Sequence, residues 1–227
     1  MTLVAIIPAR GGSKGIPNKN LREFKGKPLI QWTIEQAHKS EYIDRVVVST
    51  DNNEIANISR KLGAEVPFIR PNYLAKDTSS MIETVIYTLD NLKEINDLIL
   101  LQPTSPLRRV DDINNIVRLR SDNDRSSAVS VKEISDYPEW MIRIKNNHLL
   151  KYCSDTQSSK RRQDLEKIYI LNGSLYLTTR RHLYTNQSFI SYETIPYIMN
   201  KEFSIDIDDE SDWNYAEFIY DKFINIK

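Results

Sequence analysis

The sequence predicts an α/β fold in which helices cover both faces of a mostly parallel, three-layered sheet. Four short apolar runs, at residues 4–8, 45–50, 98–101 and 127–131, have the composition of strands that are buried on both faces. Stretches with apolar residues at helical spacing separate them. This alternation is typical of parallel strands joined by right-handed crossovers. The chain of 227 residues is long enough for one large domain, which we expect to span residues 1–227.

Capping residues and apolar spacing predict where the helices begin and end. Proline is favoured in the first turn of a helix, as at Pro28. Asp51 is a good N-cap for the next helix, which Gly63 ends, and either Thr78 or Ser79 can cap the third. Further elements are predicted as a short strand at 66–69, a helix at 110–120 and a terminal helix capped by Asp208 or Asp209.

Charge and cysteine content exclude several classes of function. Lys plus Arg and Asp plus Glu both number 31, so no net charge favours nucleic acid or an anionic membrane. Cys153 is the single cysteine and cannot form an intrachain disulfide, which suits a reducing compartment. The first strand starts too early to leave room for a signal peptide, and no apolar run approaches a membrane span. We expect a cytoplasmic protein.

The first strand leads into a glycine-rich, basic loop over residues 9–20 that contains no acidic residue. Glycines allow backbone N–H groups to approach an anion, and cations add mobile positive charge. The spacing fits neither the dinucleotide fingerprint nor the Walker loop. The loop therefore predicts a phosphate site of a third kind, the alternative being a surface turn with solvated cations. Its glycines are Gly11, Gly12 and Gly15, and its cations are Arg10, Lys14 and Lys19.

Residues 7–21, IPARGGSKGIPNKNL, closely resemble the first motif of the acylneuraminate cytidylyltransferases. This family includes CMP-sialic acid synthetases and the related CMP-legionaminic and CMP-pseudaminic acid synthetases. The resemblance extends to about residue 213, with five motifs in the family's order, and implies a Rossmann-like, nucleotide-diphospho-sugar transferase-like fold. It also implies that the loop holds the nucleotide through Ala9, Arg10, Gly11, Gly12, Ser13, Lys14, Lys19 and Asn20, with Arg10, Lys14 and Lys19 catalytic.

A second motif places Arg70 at a strand end, shortly before the paired serines Ser79 and Ser80. An arginine beside a helix start can read a base edge or bind phosphate. The alternative is a surface arginine before a capped helix. The resemblance implies that Arg70 and the backbone near Ser79 and Ser80 hold the cytosine.

Two further motifs concern the sugar. Gln102 follows the strand at 98–101, at the edge where open α/β sheets bind ligands, although its loop is also explained as a rigid turn. Arg162 belongs to a basic pair that can clamp a carboxylate through two hydrogen bonds or simply form a solvated face. The resemblance implies that Gln102 faces the sugar, that Arg162 clamps its carboxylate, and that Gln163 and Asn172 lie nearby.

The last motif contains Asp206 and Asp208 at alternate positions, so an extended chain points both carboxylates the same way. Two hard oxygen donors suit Mg²⁺ carried by a nucleoside triphosphate. The pattern alone is weak, because metal-dependent glycosyltransferases share it. Its position after the other motifs fits the cytidylyltransferases, which implies that both aspartates bind metal and are catalytic.

Residues 132–164 interrupt the alternation of strand and helix with a polar, turn-rich excursion. Its apolar residues include Tyr137, Trp140 and Ile144, which are unusual in a free loop. A flexible insertion is one interpretation; the resemblance implies that the excursion reaches a second subunit and that the protein is a homodimer. Trp140 and Glu166 depart from residues that relatives often carry there, which leaves the particular sugar open.

The sequence thus predicts a CTP-dependent enzyme that activates a nonulosonic-type keto-sugar acid as its CMP conjugate and releases pyrophosphate. Its partners would be CTP, the sugar acid and a second copy of the chain, with Mg²⁺ as cofactor. The alternatives are a glycosyltransferase of similar fold, a nucleotidyltransferase for another sugar or base, and a non-catalytic nucleotide-sugar binder. The general base, the number of metal ions and the subunit that Arg162 serves stay open.

Overall fold

The fold is described from a computed structural model, which defines residues 2–152, 161, 163 and 165–224. Ten strands occur in these ranges. They are β1 (Leu3–Pro8), β2 (Glu23–Phe24), β3 (Lys27–Pro28), β4 (Arg45–Ser49), β5 (Asp97–Leu101), β6 (Ser127–Ile134), β7 (Ile142–Lys145), β8 (His148–Lys151), β9 (Ile168–Thr179) and β10 (Ile195–Ile198).

The central sheet has the strand order β10-β6-β9-β5-β1-β4. β1 is parallel to both β4 and β5, and β10 is parallel to β6. β9 is antiparallel to both of its neighbours, β5 and β6, so the remaining strands all point the same way. The predicted mostly parallel sheet is confirmed. The predicted strand at 66–69 is wrong, because the chain makes only isolated bridges there, at Glu65 and Ile69.

Helices cover both faces of this sheet, as predicted. They are α1 (Leu29–Lys39), α2 (Asn53–Lys61), α3 (Met81–Asn91), α4 (Val110–Asp122), α5 (Arg180–Asn186) and α6 (Glu210–Phe223). Buried side chains of α1, α2 and α4 share one core cluster with the sheet, and those of α3 and α5 share another on the opposite face. α6 packs in a third cluster against the β2–β3 hairpin. The short helix α5 was not predicted from the sequence.

Two of the predicted helix caps are wrong by one residue. α2 is capped by Asn52, whose side chain accepts hydrogen bonds from two backbone N–H groups, and α3 is capped by Ser80. Asp51 is instead recruited by the glycine-rich loop, where its carboxylate accepts a hydrogen bond from Gly11. At the terminal helix, Asp209 makes the predicted cap.

The excursion contains an antiparallel hairpin, β7–β8, whose side chains are all exposed. Its apolar residues include Ile144, with 74% of its surface accessible, and Leu149, with 69%. Just before the hairpin, Tyr137 is buried and packs edge-to-face on the half-exposed Trp140. Cys153 lies outside the described residues. The described part of the excursion therefore folds as a projection with an apolar surface.

Candidate active site

A cleft of about 510 Å³ lies at the carboxyl ends of β1 and β5. These strands run parallel, so the segments that follow them meet at one edge of the sheet. The segment after β4 reaches the same edge through Arg70, whose backbone N–H donates to Thr50 at 2.7 Å. The cleft is lined by these predicted residues: Arg10, Ser13, Lys14, Lys19, Asn20, Arg70, Ser79, Gln102 and Asp208.

Internal hydrogen bonds hold the glycine-rich loop in place. Asn20 is buried and donates through its side-chain amide to the Arg10 carbonyl at 2.9 Å. The Ser13 hydroxyl donates to the Ile16 carbonyl. The Gly11 N–H donates to the Asp51 carboxylate at 3.0 Å, so that N–H is already occupied. The loop is therefore a preorganised structure.

Close packing explains why glycine occupies two positions of this loop. A Cβ atom on Gly15 would lie 2.1 Å from the backbone oxygen of Asp208, and one on Gly11 would lie 2.8 Å from the Asn52 side chain. Gly12 has open space around it, and Ala9 is fully buried at the end of β1. Only glycine at position 15 lets the loop pass so close to the Asp208 backbone.

The three loop cations occupy different positions. Arg10 and Lys14 both pair with the Asp77 carboxylate, at 2.7 and 2.9 Å, on the open side of the cleft. The hydrogen bond from Lys14, then the one from Arg10 and the positive charges of both, lower the pKa of the Asp77 carboxyl below its ordinary value. Lys19 is nearly buried, and its ammonium group donates to the Ile207 carbonyl at 2.6 Å and to the Asp208 carboxylate at 3.1 Å. The loop therefore places one fixed and two exposed charges around the cleft.

Arg70 forms a charged wall of the cleft. Its side chain is almost fully buried, which lowers the pKa of the guanidinium, and Asp51 at 3.8 Å opposes this effect. Ser79 lines the cleft, with its hydroxyl donating to the Tyr73 carbonyl at 2.8 Å. Ser80 caps α3 behind it. The predicted contacts of these residues with cytosine stay predictions.

The other end of the cleft is formed by Gln102, which follows β5. A Cβ atom on Gly173 would lie 3.0 Å from the Asp206 carboxylate and 3.6 Å from the Gln102 amide nitrogen, so these groups lie side by side. Asn172 is buried behind them, and its amide is hydrogen-bonded to Ser130 and Ser204. Asn172 does not line the cleft, and its predicted part in sugar binding stays untested.

The two predicted metal ligands differ in environment. Asp206 does not line the cleft; it is largely buried, and its Oδ1 atom has no hydrogen-bond partner among the described residues. Burial is the main cause that raises the pKa of its carboxyl above the ordinary value; the nearby Thr104 hydroxyl opposes this effect, and the negative charge of Asp208 adds to it. Asp208 is exposed and shares its carboxylate with Lys19. Across the described ranges, no three His, Cys, Asp or Glu side chains form a metal cluster.

The remaining predicted sugar-binding residues cannot be placed in the cleft. Arg162 lies outside the described residues, and Gln163 is exposed. Conversely, sequence reasoning gave no role to Asp77 or Arg108. Asp77 lies in a turn-rich stretch whose composition is that of an ordinary polar loop. Its position two residues before Ser79 could have indicated that it lies near the cleft.

A scan against family models matches residues 4–222 to the model described as "Cytidylyltransferase". The chain belongs to the cytidylyltransferase family. The resemblance that the glycine-rich loop suggested is thereby confirmed, and the match covers every motif used to predict the site.

Curated cytidylyltransferases with similar sequences carry names for three sugar acids. A CMP-N,N'-diacetyllegionaminic acid synthase from Legionella pneumophila is 40% identical over 96% of this chain and 95% of its own length. A pseudaminic acid cytidylyltransferase from Campylobacter jejuni is 32% identical over 97% of both chains. An N-acylneuraminate cytidylyltransferase from Escherichia coli is 34% identical over 97% of this chain, which spans 52% of that longer relative.

Solved structures support the fold. A CMP:2-keto-3-deoxy-manno-octonic acid synthetase complexed with CTP has a TM-score of 0.73 at 17% identity, covering 98% of this chain and 99% of its own. A 4-diphosphocytidyl-2C-methyl-D-erythritol synthase from Anaerococcus prevotii has a TM-score of 0.63 at 12% identity, covering 97% and 98%. Within the described residues, no helix is long and apolar enough to cross a membrane.

Proposed function

We propose that this cytidylyltransferase activates a nonulosonic-type keto-sugar acid with CTP, forming the CMP-sugar and pyrophosphate. One observation carries the proposal. The phosphate-loop cations, Arg70 and Gln102 line one cleft, so residues predicted to bind the nucleotide and the sugar face a common space. The three sugar acids named for the similar enzymes all belong to this class. Legionaminic acid is the first substrate to test, because the relative named for it has the highest identity of these three.

The proposed reaction is an in-line displacement at the α-phosphate of CTP. The anomeric hydroxyl of the sugar attacks phosphorus, the bond to the β-phosphate breaks, and pyrophosphate leaves. Lys19 is held at a fixed position beside Asp208, so its charge needs no reorganisation during the reaction. Arg10 and Lys14 would leave Asp77 to bind the departing phosphates. Catalysis would come mainly from positioning and charge stabilisation.

We further propose that Asp206 and Asp208 hold the Mg²⁺ that accompanies CTP. The unpartnered, buried Oδ1 atom of Asp206 fits this role, because a buried carboxylate oxygen needs a cation or a donor. Two carboxylates without a third suit Mg²⁺, which usually completes its shell with phosphate oxygens and water. When bound, the ion would offset negative charge on the phosphates.

A Mg²⁺ titration of Asp208→Asn tests this assignment. The variant should keep its fold, because asparagine has the same shape and Asp209 still caps α6. It should lose activity by about 10²-fold and respond weakly to added Mg²⁺. Lys25→Ala, which removes a surface ion pair with Asp221, is the control for general charge effects. A normal titration curve in Asp208→Asn would place the metal elsewhere.

Assembly as a homodimer belongs to the same proposal. If the β7–β8 hairpin of each subunit packed against the other subunit, its apolar side chains would be removed from water. A two-fold dimer is the commonest closed arrangement. Arg162 and Gln163 would then serve the sugar carboxylate of one subunit or the other. A cytoplasmic location, where CTP is available, completes the proposal; the single cysteine is consistent with it.

A pyrophosphate-release assay with four nucleoside triphosphates against a panel of keto-sugar acids tests the function. Release should require CTP together with N,N'-diacetyllegionaminic acid, pseudaminic acid or N-acetylneuraminic acid. Release with UTP or GTP but none with CTP would contradict our assignment of the base. Transfer from a sugar nucleotide without pyrophosphate release would support a glycosyltransferase. Saturable CTP binding without turnover would indicate a binding protein.

A further inference from the structure

A buried arginine joins three parts of the fold beneath the sugar end of the cleft. Arg108 is only 1% exposed. Its guanidinium donates to the backbone carbonyls of Ser174 at 2.8 Å and Gln102 at 3.4 Å. It also donates to the Thr33 hydroxyl at 3.0 Å and to the Gln36 amide oxygen at 3.2 Å. These four oxygens replace the water that burial removes from the two terminal nitrogens, while the buried Nε has no hydrogen-bond partner among the described residues.

Burying a guanidinium is costly, and burial lowers the pKa of Arg108. The ion pairs in the described part of the chain do not include it, so its charge is compensated by neutral oxygens and, at longer range, by the negative charge of Asp112. A buried apolar side chain would fill the same space at lower cost. The guanidinium therefore contributes more than packing. Its two backbone acceptors, the carbonyls of Gln102 and Ser174, indicate that it connects two segments of the sheet.

Arg108 bridges two strands at the point where their pairing ends. β5 and β9 stay paired as far as Leu101 and Leu175. Beyond this pair β9 bulges, because its residues 172–175 stand opposite the single residue Ser130 of β6. Within the bulge Gly173 adopts a φ of +75°, which strongly favours glycine. The Arg108 hydrogen bonds hold this bulge at a fixed distance from the segment that follows β5.

The segment after β5 carries Gln102, which lines the cleft, and the bulge carries Gly173, which lies beside the Asp206 carboxylate. A Cβ atom on Gly173 would lie 3.0 Å from the Asp206 carboxylate and 3.6 Å from the Gln102 amide nitrogen, so both groups border the bulge at Gly173. A shift of the bulge relative to β5 would therefore move the Gln102 amide relative to Asp206. Displacements of about 1 Å at a reacting site can reduce turnover by about 10²-fold.

We propose that Arg108 is a positioning residue for the sugar half of the active site. It fixes the β9 bulge and the end of β5 so that Gln102 is held in register with Asp206. The nucleotide half does not depend on it, because Arg10, Lys19 and Arg70 are held by other partners. This inference rests on the proposed function, since it assigns a role in the same reaction.

The test compares the kinetic constants for the sugar acid with the affinity for CTP. Arg108→Lys keeps the charge but cannot donate to both carbonyls and to α1 together. We expect the KM for the sugar acid to rise about tenfold and kcat to fall about tenfold, while the Kd for CTP, measured by calorimetry without sugar, changes less than about twofold. The sugar is whichever of N,N'-diacetyllegionaminic acid, pseudaminic acid and N-acetylneuraminic acid the wild type converts.

Arg120→Lys is the matched control. Arg120 is largely but not fully buried, with 12% of its side chain exposed, and it pairs with Asp97 at 2.8 Å, at the opposite end of β5 from the cleft. This variant should lower the melting temperature and leave both substrate constants unchanged. Wild-type sugar KM and kcat in Arg108→Lys would overturn the inference. Equal shifts of all constants in both lysine variants would also overturn it, because they would indicate general destabilisation.

A second variant decides the matter if Arg108→Lys fails to fold. Thr33→Val keeps the shape of the side chain and removes one acceptor of the guanidinium. We expect it to raise the sugar KM about threefold without changing CTP binding, in keeping with the loss of one charge-assisted hydrogen bond; no change would overturn the inference. A folded wild type inactive with every sugar acid would overturn the proposed function as well.

Discussion

The cleft and the β7–β8 hairpin of the excursion are stabilised in different ways. The nucleotide end of the cleft is stabilised within one chain, where Asn20 and Asp51 hold the loop and Lys19 is fixed by the Asp208 segment. The β7–β8 hairpin, which we propose to reach a second subunit, instead exposes its apolar side chains. We therefore expect nucleotide binding to be complete in a monomer and sugar recognition to depend on the proposed dimer. This difference gives the following variants distinct expected effects.

Loss of the fixed charge at the nucleotide end should have the largest effect. Lys19→Ala removes an ammonium group held between the Ile207 carbonyl and the Asp208 carboxylate. Turnover should fall by about 10²-fold or more, the scale of losing one preorganised charge-stabilising group. Steady-state kinetics on the folded variant measure this, with Lys25→Ala as the surface-lysine control. Unchanged turnover would indicate that the loop is only a structural turn.

A charge introduced into the excursion tests the proposed dimer. Trp140→Asp should dissociate the proposed dimer, because an unpaired carboxylate in an apolar interface is costly. At micromolar concentration its activity should fall about tenfold and rise again with protein concentration, while CTP binding persists. Tyr192→Asp, which alters a fully exposed aromatic residue elsewhere, is the control. A fully active wild-type monomer by light scattering would refute the dimer.

Asp77 offers a milder change at the nucleotide end. Its carboxylate pairs with Arg10 and Lys14, and these are the cations that we expect to bind phosphate. Asp77→Asn frees both cations and removes a negative charge from the cleft. The KM for CTP should decrease about threefold, and more at low salt, because exposed charges are screened by ions. A higher KM would instead show that Asp77 helps to orient these cations.

The smallest expected effect concerns stability. Burial raises the pKa of the Asp206 carboxyl, so the folded state binds its proton more tightly than the unfolded state does. Stability from this group is then full below its unfolded pKa and is lost as pH rises through its folded pKa. Without metal, Asp206→Asn should raise the melting temperature at pH 7 by about 2 °C. The difference should vanish on acidification below pH 4.

Features that depend on residues close together in the sequence could be predicted. The strand that ends at Pro8 and the glycine-rich loop were predictable, because composition and spacing reveal a buried strand and a phosphate loop. The cap at Asp51 was wrong because a distant group, the Gly11 N–H, uses its carboxylate. The antiparallel direction of β9 and the bulge at Gly173 depend on pairing with strands far away in sequence. The role proposed for Arg108 depends on those same contacts.

The contact between the loop and the Asp208 segment also affects how the enzyme folds. Lys19 bonds to groups 188 and 189 positions away in the chain, and Gly15 packs on the same segment. Contacts between such distant residues form late, because the intervening chain must first be ordered. We therefore expect the loop to reach its final geometry only once the segment around Asp208 is ordered, so the proposed active site would form late in folding.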